Sequence, residues 1–381
     1  LAADDLDGDG FADLIVHTIE GEVRVYWGGP DGIDLSLCSA VPVELDVSKL
    51  ESGSQSEKSE KEPSVKPADE WVGEPKPLVR VVRLGRVPHI FVARAESVFL
   101  VPVNNDRGFG EPIVLNCSEA IAVAVGDING NGYEDLVVGC LEPSGDGERS
   151  WIYWGGPDGF DEARRTALES SRVCDVAVSD LDGDGYDDIV LCQGHTPELY
   201  TVRSLIYRGS PDGVHDTPTQ LIAHNPQRAL IARPTGDGVP HLVFVNFRSG
   251  NVRGDIKSSI YFGGPEGFSK ERRQDLLAWR PIDALTCDFN DNGYADLMFV
   301  SSYGYGGADR SEEPGSWVYL NGPDGFQDEP AWRIFVDSAH GVCCADLNRD
   351  GYLDLIFCSI DIPDLVIIYG TAEGFDVDNP Q

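Results

Sequence analysis

The decapeptide DLDGDGFADL at residues 5–14 returns along the whole chain, and this repetition constrains the fold more than any other feature. Four further copies keep its pattern of acidic or amide side chains around a central glycine; they begin at Asp127, Asp180, Asp288 and Asp346. Two eroded copies, RPTGDGVPHL from Arg233 and a shorter one that ends GRVPHI at Ile90, fill the longer gaps. Seven copies spaced by roughly 55 residues indicate a repeat protein in which each copy marks one structural unit.

A second, glycine-rich signature follows the motif in every repeat, and short β-rich runs lie between the two. Its copies are WGGPDGI from Trp27, NNDRGFG from Asn104, WGGPDGF from Trp154, RGSPDGV from Arg208, FGGPEGF from Phe262, NGPDGF from Asn321 and YGTAEGF from Tyr369. Proline fixes φ and glycine accepts positive φ, so the signature predicts a tight turn. In the third repeat the runs AIAVAV, DLVVGC, SWIYWG and RRTALE predict four strands, A to D. The acidic loop joins A to B, and the turn joins C to D.

Seven four-stranded units predict an all-β fold, a seven-bladed β-propeller with four antiparallel strands per blade. The predicted bounds are 1–45 for blade 1, 78–118 for blade 2, 119–170 for blade 3, 171–223 for blade 4, 224–278 for blade 5, 279–336 for blade 6 and 337–381 for blade 7. Residues 46–77 are rich in Ser, Glu, Lys and Pro, which predicts a disordered insertion between blades 1 and 2. The final FDVDNPQ is too polar for a convincing outer strand, so we expect the completing strand to lie upstream of Leu1.

These repeats resemble the FG-GAP or VCBS repeats of the integrin α-subunit propeller and of many secreted bacterial proteins. The resemblance rests on the acidic pattern of five motifs and the GPDGF-like turn of six, and it spans the whole chain. It implies an extracellular propeller in which calcium binds to the loops between strands A and B.

The acidic motif places oxygen-bearing side chains at positions 1, 3, 5 and 9, with glycines at positions 4 and 6 of the copy that begins at Asp5. Hard oxygen ligands in a tight loop suit calcium. An EF-hand would need a bidentate glutamate at position 12, where this chain has Val16, Val138, Leu191, Phe299 and Phe357. General acid or base catalysis by these carboxylates is the rival hypothesis, but a saturated calcium shell leaves its oxygens occupied. We favour five calcium sites, in blades 1, 3, 4, 6 and 7.

In the resembling family, calcium binds the side chains of positions 1, 3, 5 and 9 and the backbone carbonyl of position 7. Carried over, the ligands are Asp5, Asp7, Asp9, Phe11 and Asp13; Asp127, Asn129, Asn131, Tyr133 and Asp135; Asp180, Asp182, Asp184, Tyr186 and Asp188; Asp288, Asn290, Asn292, Tyr294 and Asp296; and Asp346, Asn348, Asp350, Tyr352 and Asp354. The eroded loops of blade 5, with Arg233 at position 1, and of blade 2 are predicted to bind no metal. His89 and His241, at position 9 of these two loops, are interpreted as structural.

The A-to-B and C-to-D connections of a four-stranded blade share one face of the disc, so ligand binding is expected on the other face. There the B-to-C loops are long in blades 3 to 6, at 141–150, 193–203, 246–258 and 301–316. The candidate ligand-binding residues are Asp175, His195, Tyr200, Arg228, Arg253, Asp283, Tyr303 and Tyr305. For Asp175, Arg228 and Asp283, at the start of strand A, two interpretations stay open: a polar ligand site, or pairing with each other.

The chain has 65 acidic and 29 basic residues, and its formal net charge of -36 argues against nucleic acid and anionic membranes as partners. The sequence contains no run of eighteen apolar residues that would predict membrane insertion. It also contains no nucleophile elbow, P-loop or HExxH motif that would indicate catalysis. The sequence therefore favours a monomeric, secreted or cell-surface propeller that binds a glycan or an extracellular protein, as in cell adhesion. A carbohydrate-active enzyme (lyase, dehydratase or hydrolase) on the same face is the alternative.

Overall fold

The computed structural model describes residues 1–18, 21–30, 32–43, 79–94, 96–141, 149–194, 201–232, 239–249, 252–253, 257–264, 267–301, 315–359 and 364–381. Within these ranges every regular element is a β-strand. The insertion predicted at 46–77 lies outside the described residues. In the described ranges no helix is long and apolar enough to cross a membrane.

The strands form seven antiparallel blade sheets in which consecutive strands are neighbours. In strand order A to D, blade 1 contains β1 (Ala2–Asp4), β2 (Asp13–His17), β3 (Val23–Tyr26) and β4 (Cys38–Ala40); blade 2 contains β5 (Val79–Leu84), β6 (Val87–Ala93), β7 (Ser97–Pro102) and β8 (Ile113–Asn116); blade 3 contains β9 (Ala120–Gly126), β10 (Asp135–Cys140), β11 (Arg149–Tyr153) and β12 (Arg165–Glu169). Blade 4 contains β13 (Val173–Ser179), β14 (Asp188–Gln193), β15 (Thr201–Tyr207) and β18 (Thr219–His224), with the hairpin β16 (Gly209–Ser210) and β17 (Gly213–Val214) in its C-to-D turn.

The last three blades follow the same plan with small additions. Blade 5 contains β19 (Pro226–Ala232), β20 (His241–Asn246), β23 (Lys257–Tyr261) and β24 (Arg273–Leu277), with the hairpin β21 (Arg248–Ser249) and β22 (Val252–Arg253) between B and C. Blade 6 contains β25 (Pro281–Cys287), β26 (Asp296–Ser301), β27 (Ser316–Tyr319) and β28 (Trp332–Ile334). Blade 7 contains β29 (Ala339–Ala345), β30 (Asp354–Ser359) and β31 (Val366–Ile368), with the turn hairpin β32 (Gly370–Thr371) and β33 (Gly374–Phe375).

The blades close into a ring through their A strands. Each A strand contacts the A strand of the next blade in the order β1, β5, β9, β13, β19, β25 and β29, and β29 contacts β1 again. The predicted all-β, seven-bladed propeller is therefore confirmed. Blade 7 differs from the other six because its sheet has three strands, and Gln381 occupies the fourth position through two backbone hydrogen bonds of 2.9 Å with Ile367.

Among the described residues the hydrophobic core is divided into seven clusters, each lying mainly between two neighbouring blades. Phe91 and Leu100 of blade 2, for example, pack in one cluster with Leu136 and Tyr153 of blade 3. Every side chain named in that cluster is almost completely removed from water, so each blade face is stabilised by its neighbour rather than within its own sheet. The stability of the ring therefore depends on apolar contacts between every pair of neighbouring blades.

A buried tyrosine at the end of strand C ties neighbouring blades together. Its hydroxyl donates to a backbone carbonyl of, or next to, strand D in the preceding blade, at 2.7–2.9 Å. The donors are Tyr153, Tyr207, Tyr261 and Tyr319, and the acceptors are the carbonyls of Asn116, Glu169, Ile222 and Leu277. The aromatic ring fills the core between two blades while the hydroxyl satisfies a polar backbone group at its rim.

Candidate metal centres and the central channel

Position 9 of each acidic motif is a completely buried aspartate that connects two loops. One carboxylate oxygen accepts the backbone N–H of position 2 in its own loop, and the other accepts the backbone N–H of the second residue after strand C. These hydrogen bonds measure 2.7–3.1 Å, and their acceptors are Asp13, Asp135, Asp188, Asp296 and Asp354. The two signatures of each repeat, the acidic loop and the glycine turn, are thus joined by one side chain.

Burial makes the charge on these aspartates costly. It raises the pKa of Asp13, Asp135, Asp188 and Asp296 to about 6, and it also raises the pKa of Asp354. The backbone N–H donors lower these pKa values but only partly compensate for the loss of water. A cation beside the carboxylate would remove much of the remaining penalty, because an opposite charge favours the ionised form.

The rest of the motif folds the loop on itself. In blade 3 the position 1 carboxylate, Asp127, accepts the N–H groups of Asn131 and Gly132 at 2.9 and 2.8 Å. The position 5 side chain, Asn131, accepts the N–H of Tyr133 at 2.8 Å. Gly132, at position 6, has φ of +85°, where a side chain would be strained. Two of these hydrogen bonds recur in the loops that begin at Asp5, Asp180, Asp288 and Asp346: the position 1 carboxylate accepts the N–H of position 6, and the position 5 side chain accepts the N–H of position 7.

Two of the acidic loops, those of blades 1 and 4, bring carboxylate oxygens to the separation that one calcium ion requires. Asp5, Asp7 and Asp13 offer carboxylate oxygens that all lie within 4.8 Å of one another, and Asp180, Asp182 and Asp184 do the same. Oxygens bound to one calcium at 2.3–2.6 Å are separated by at most about 5 Å. The donor set of the five loops, carboxylate and amide oxygens only, fits calcium, and the side chains of positions 1, 3, 5 and 9 would hold it.

The comparison with family models agrees with this geometry. The model described as an FG-GAP-like repeat matches residues 127–191 and 288–357, which contain the acidic loops of blades 3, 4, 6 and 7. The protein is a β-propeller that carries FG-GAP-like repeats. A comparison with curated protein sequences gives no match.

Solved structures with the same fold as this FG-GAP propeller are distant in sequence. One, described as a putative 6-phosphogluconolactonase from Bacteroides uniformis, is 11% identical with a TM-score of 0.50 and aligns 77% of this chain with 80% of its own. Another, described as BBS1N in complex with ARL6DN, is 13% identical with a TM-score of 0.50 and aligns 94% of this chain with 88% of its own. At these identities the likeness extends to the fold alone.

Two loops of the FG-GAP propeller contain an arginine beside their carboxylates. In blade 1, Arg107 Nε donates to Asp7 Oδ2 at 2.7 Å and its Nη2 donates to Asp9 Oδ2 at 3.0 Å. In blade 4, Arg208 Nη1 lies 2.5 Å from Asp188 Oδ2 and 3.1 Å from Asp182 Oδ2. Both arginines come from glycine turns, Arg107 from the turn of the neighbouring blade 2 and Arg208 from that of blade 4 itself.

The eroded loops are built differently. Blade 2 joins strands A and B by the two residues Gly85 and Arg86, and His89 is buried with Nδ1 3.0 Å from the carbonyl of Val87. In blade 5 the predicted positions Arg233, Thr235 and Asp237 lie outside the described residues. His241 Nδ1 accepts the N–H of the turn residue Gly263 at 3.4 Å, which replaces one of the two hydrogen bonds that aspartate makes at position 9 elsewhere. Both histidines thus have structural contacts.

Three of the candidate ligand-binding residues lie together at the central channel. Each follows by three residues a corner with positive φ at Arg172, Asn225 or Arg280. Arg228 Nε donates to Asp175 at 2.8 Å, and its Nη1 donates to Asp283 at 2.5 Å. The structure therefore brings Asp175, Arg228 and Asp283 together as a salt-bridged triad that spans blades 4, 5 and 6.

The structure describes no side-chain contacts for the other candidate ligand-binding residues of that face. His195, Tyr200, Tyr303 and Tyr305 lie outside the described residues. Arg253 lies in β22, where its backbone is paired with that of Arg248, and its side chain is outside the description. Their role in ligand binding stays a prediction.

Replacing Arg228 with methionine should lower the free energy of unfolding by about 2 kcal/mol, because two mostly buried aspartates would lose their counter-ion. The effect is below that of a fully buried pair because about a fifth of the Arg228 side chain is exposed. Urea unfolding measures it, with Arg203→Met at an exposed site as the matched control. Equal stability of the two variants would show that the triad does not hold the blades together.

Proposed function

We propose that the protein is a calcium-stabilised extracellular module that binds a glycan or protein partner on the face opposite the acidic loops. Calcium is proposed to bind at the loops whose side chains supply only oxygen donors, and the position 9 aspartate connects each such loop to the adjacent turn. The location is proposed to be secreted or at the cell surface, and the propeller to be monomeric. The rigid ring would hold the B-to-C edges of blades 3 to 6 in fixed relative positions.

A row of basic side chains on that opposite edge carries the proposal about the ligand. Arg149, Arg203 and Lys257 are all exposed and lie within the first three residues of strand C in the consecutive blades 3, 4 and 5. In a chain with a formal net charge of -36, three cationic side chains on one edge form a local exception. An anionic partner, such as a sulfated or uronic-acid glycan, would be attracted to this edge and repelled elsewhere.

Charge reversal at this edge tests the proposal. The triple variant Arg149→Glu, Arg203→Glu and Lys257→Glu should bind an anionic glycan identified on an array at least about tenfold more weakly than the wild type. The matched control reverses Arg86, Arg164 and Lys270, which are exposed in the A-to-B or C-to-D turns of the other face. Equal loss in both variants would indicate a general charge effect and contradict a site at the B-to-C edge.

The same glycan should be followed for turnover. Binding without product supports a binding module. A shortened or unsaturated sugar would instead identify a carbohydrate-active enzyme on this face, which is the alternative function.

A further inference from the structure

The acidic loops of this propeller are not chemically equivalent, because two of them face a cation that the chain itself supplies. Arg208 Nη1 lies between the carboxylates of positions 3 and 9 in blade 4, Asp182 and Asp188. Arg107 spans positions 3 and 5 in blade 1, Asp7 and Asp9, and also donates to the carbonyl of Gly28 at 3.2 Å. These are oxygens that calcium would bind, so a guanidinium and a calcium ion compete for the same place.

The arginines lie at the two most acidic loops. Only the loops of blades 1 and 4 have aspartate at all four side-chain positions, and in each of them three aspartates offer oxygens within 4.8 Å of one another. Like charges this close repel unless a cation lies among them. Within the part of the chain that the structure describes, no ion pair joins a basic side chain to the aspartates of positions 1, 3, 5 or 9 in the loops of blades 3, 6 and 7.

The positions that hold the two arginines have other residues in the sister repeats. Arg107 has φ of +65° and donates its N–H to the carbonyl of Asn104, as the turn glycines Gly32, Gly159, Gly267 and Gly325 do in their own turns. A non-glycine residue is strained there, so glycine would be the better backbone choice. Arg208 stands where blades 1 and 3 have Trp27 and Trp154. In both places the arginine departs from the residue of the sister repeats, and at position 107 it also departs from the glycine that the backbone favours.

We propose that Arg107 and Arg208 are built-in counter-cations that close the acidic loops of blades 1 and 4, leaving the loops of blades 3, 6 and 7 to bind calcium. This inference rests on the proposed calcium function and sharpens it, because it replaces five equivalent sites with three. Blades 1 and 4 keep their loop geometry at any calcium concentration, whereas the other three loops depend on the ion.

The sister repeats supply the variants for the test. Arg107→Gly introduces the residue of the other turns, and Arg208→Trp introduces the residue of blades 1 and 3, so both changes suit the local backbone. Equilibrium dialysis with radioactive calcium should give three ions per wild-type chain, four for each single variant and five for the double variant. Arg164→Gln, whose arginine donates to the carbonyl of Gly159 rather than to an aspartate, should keep three.

Five ions bound by the wild type, or no gain in the variants, would overturn the inference while leaving calcium binding intact. No calcium in any protein would instead refute the proposed calcium function. A second measurement tests the role of the arginines even if no calcium binds. In EDTA, Arg107→Gln and Arg208→Trp should melt at a lower temperature than the wild type and Arg164→Gln should not, because Asp7 and Asp188 would lose their only described cationic partners. Glutamine keeps a side chain at the positive φ of position 107, so relief of backbone strain does not mask the lost ion pair. Unchanged melting would contradict the role of the arginines.

Discussion

Removal of calcium with EDTA should lower the melting temperature of the protein by roughly 10 °C, since several sites that exist only in the folded chain would be emptied together. At free calcium about 100 times Kd, each site stabilises the folded state by about 2.7 kcal/mol. The effect should be large here because buried aspartates such as Asp135, whose pKa burial raises to about 6, carry a charge that water no longer screens. Differential scanning calorimetry, in EDTA and with calcium at saturating concentration, measures the shift.

Magnesium is the matched control for this experiment. It demands octahedral geometry and gives up its water reluctantly, so it should restore less of the lost stability than calcium does. A melting temperature that EDTA leaves unchanged, together with no metal in elemental analysis of the purified protein, would refute the proposed calcium sites. Recovery that is equal with magnesium would indicate general neutralisation of the acidic surface rather than a specific site.

The fold was predictable because its signals are local and repeated. The copies of DLDGDGFADL fix where each A-to-B hairpin turns, and the Gly-Pro turns fix the C-to-D hairpins, so strand order follows from sequence alone. Blade 7 is the exception. Its FDVDNPQ end gives no strand pattern, yet Gln381 pairs with Ile367 through backbone atoms, whose hydrogen bonds leave no trace in side-chain periodicity.

The candidate metal loops were predictable as loops but not as members of a network. Position 9 has a partner that sequence reasoning missed: its aspartate accepts the N–H of the second residue after strand C, as Asp135 accepts that of Gly155. The contact of Arg107 with Asp7 has no such signal, because it joins side chains 100 residues apart across two blades. The bridge from Tyr153 to Asn116 was missed for the same reason.

Substitutions in one loop can separate the structural role of the position 9 aspartate from its proposed role as a calcium ligand. In EDTA, Asp135→Ala should lower the free energy of unfolding by roughly 3–5 kcal/mol, because the buried N–H groups of Ile128 and Gly155 would both lose their acceptor. Asp127→Ala in the same loop should cost about 1 kcal/mol or less in EDTA, because water can replace it at the exposed N–H groups of Asn131 and Gly132.

With calcium present, the destabilisation relative to the wild type should grow by a similar amount in both variants, since each removes a ligand of the blade 3 loop and forfeits the stabilisation that the ion provides there. Urea unfolding in both buffers gives the four free energies, and the wild type provides the reference in each. Equal destabilisation of Asp135→Ala and Asp127→Ala in EDTA would contradict the calcium-independent connection between acidic loop and turn. The expected difference would instead mean that the loop is held in shape before the ion binds, so calcium binds a largely pre-formed site and loses little free energy to ordering the chain.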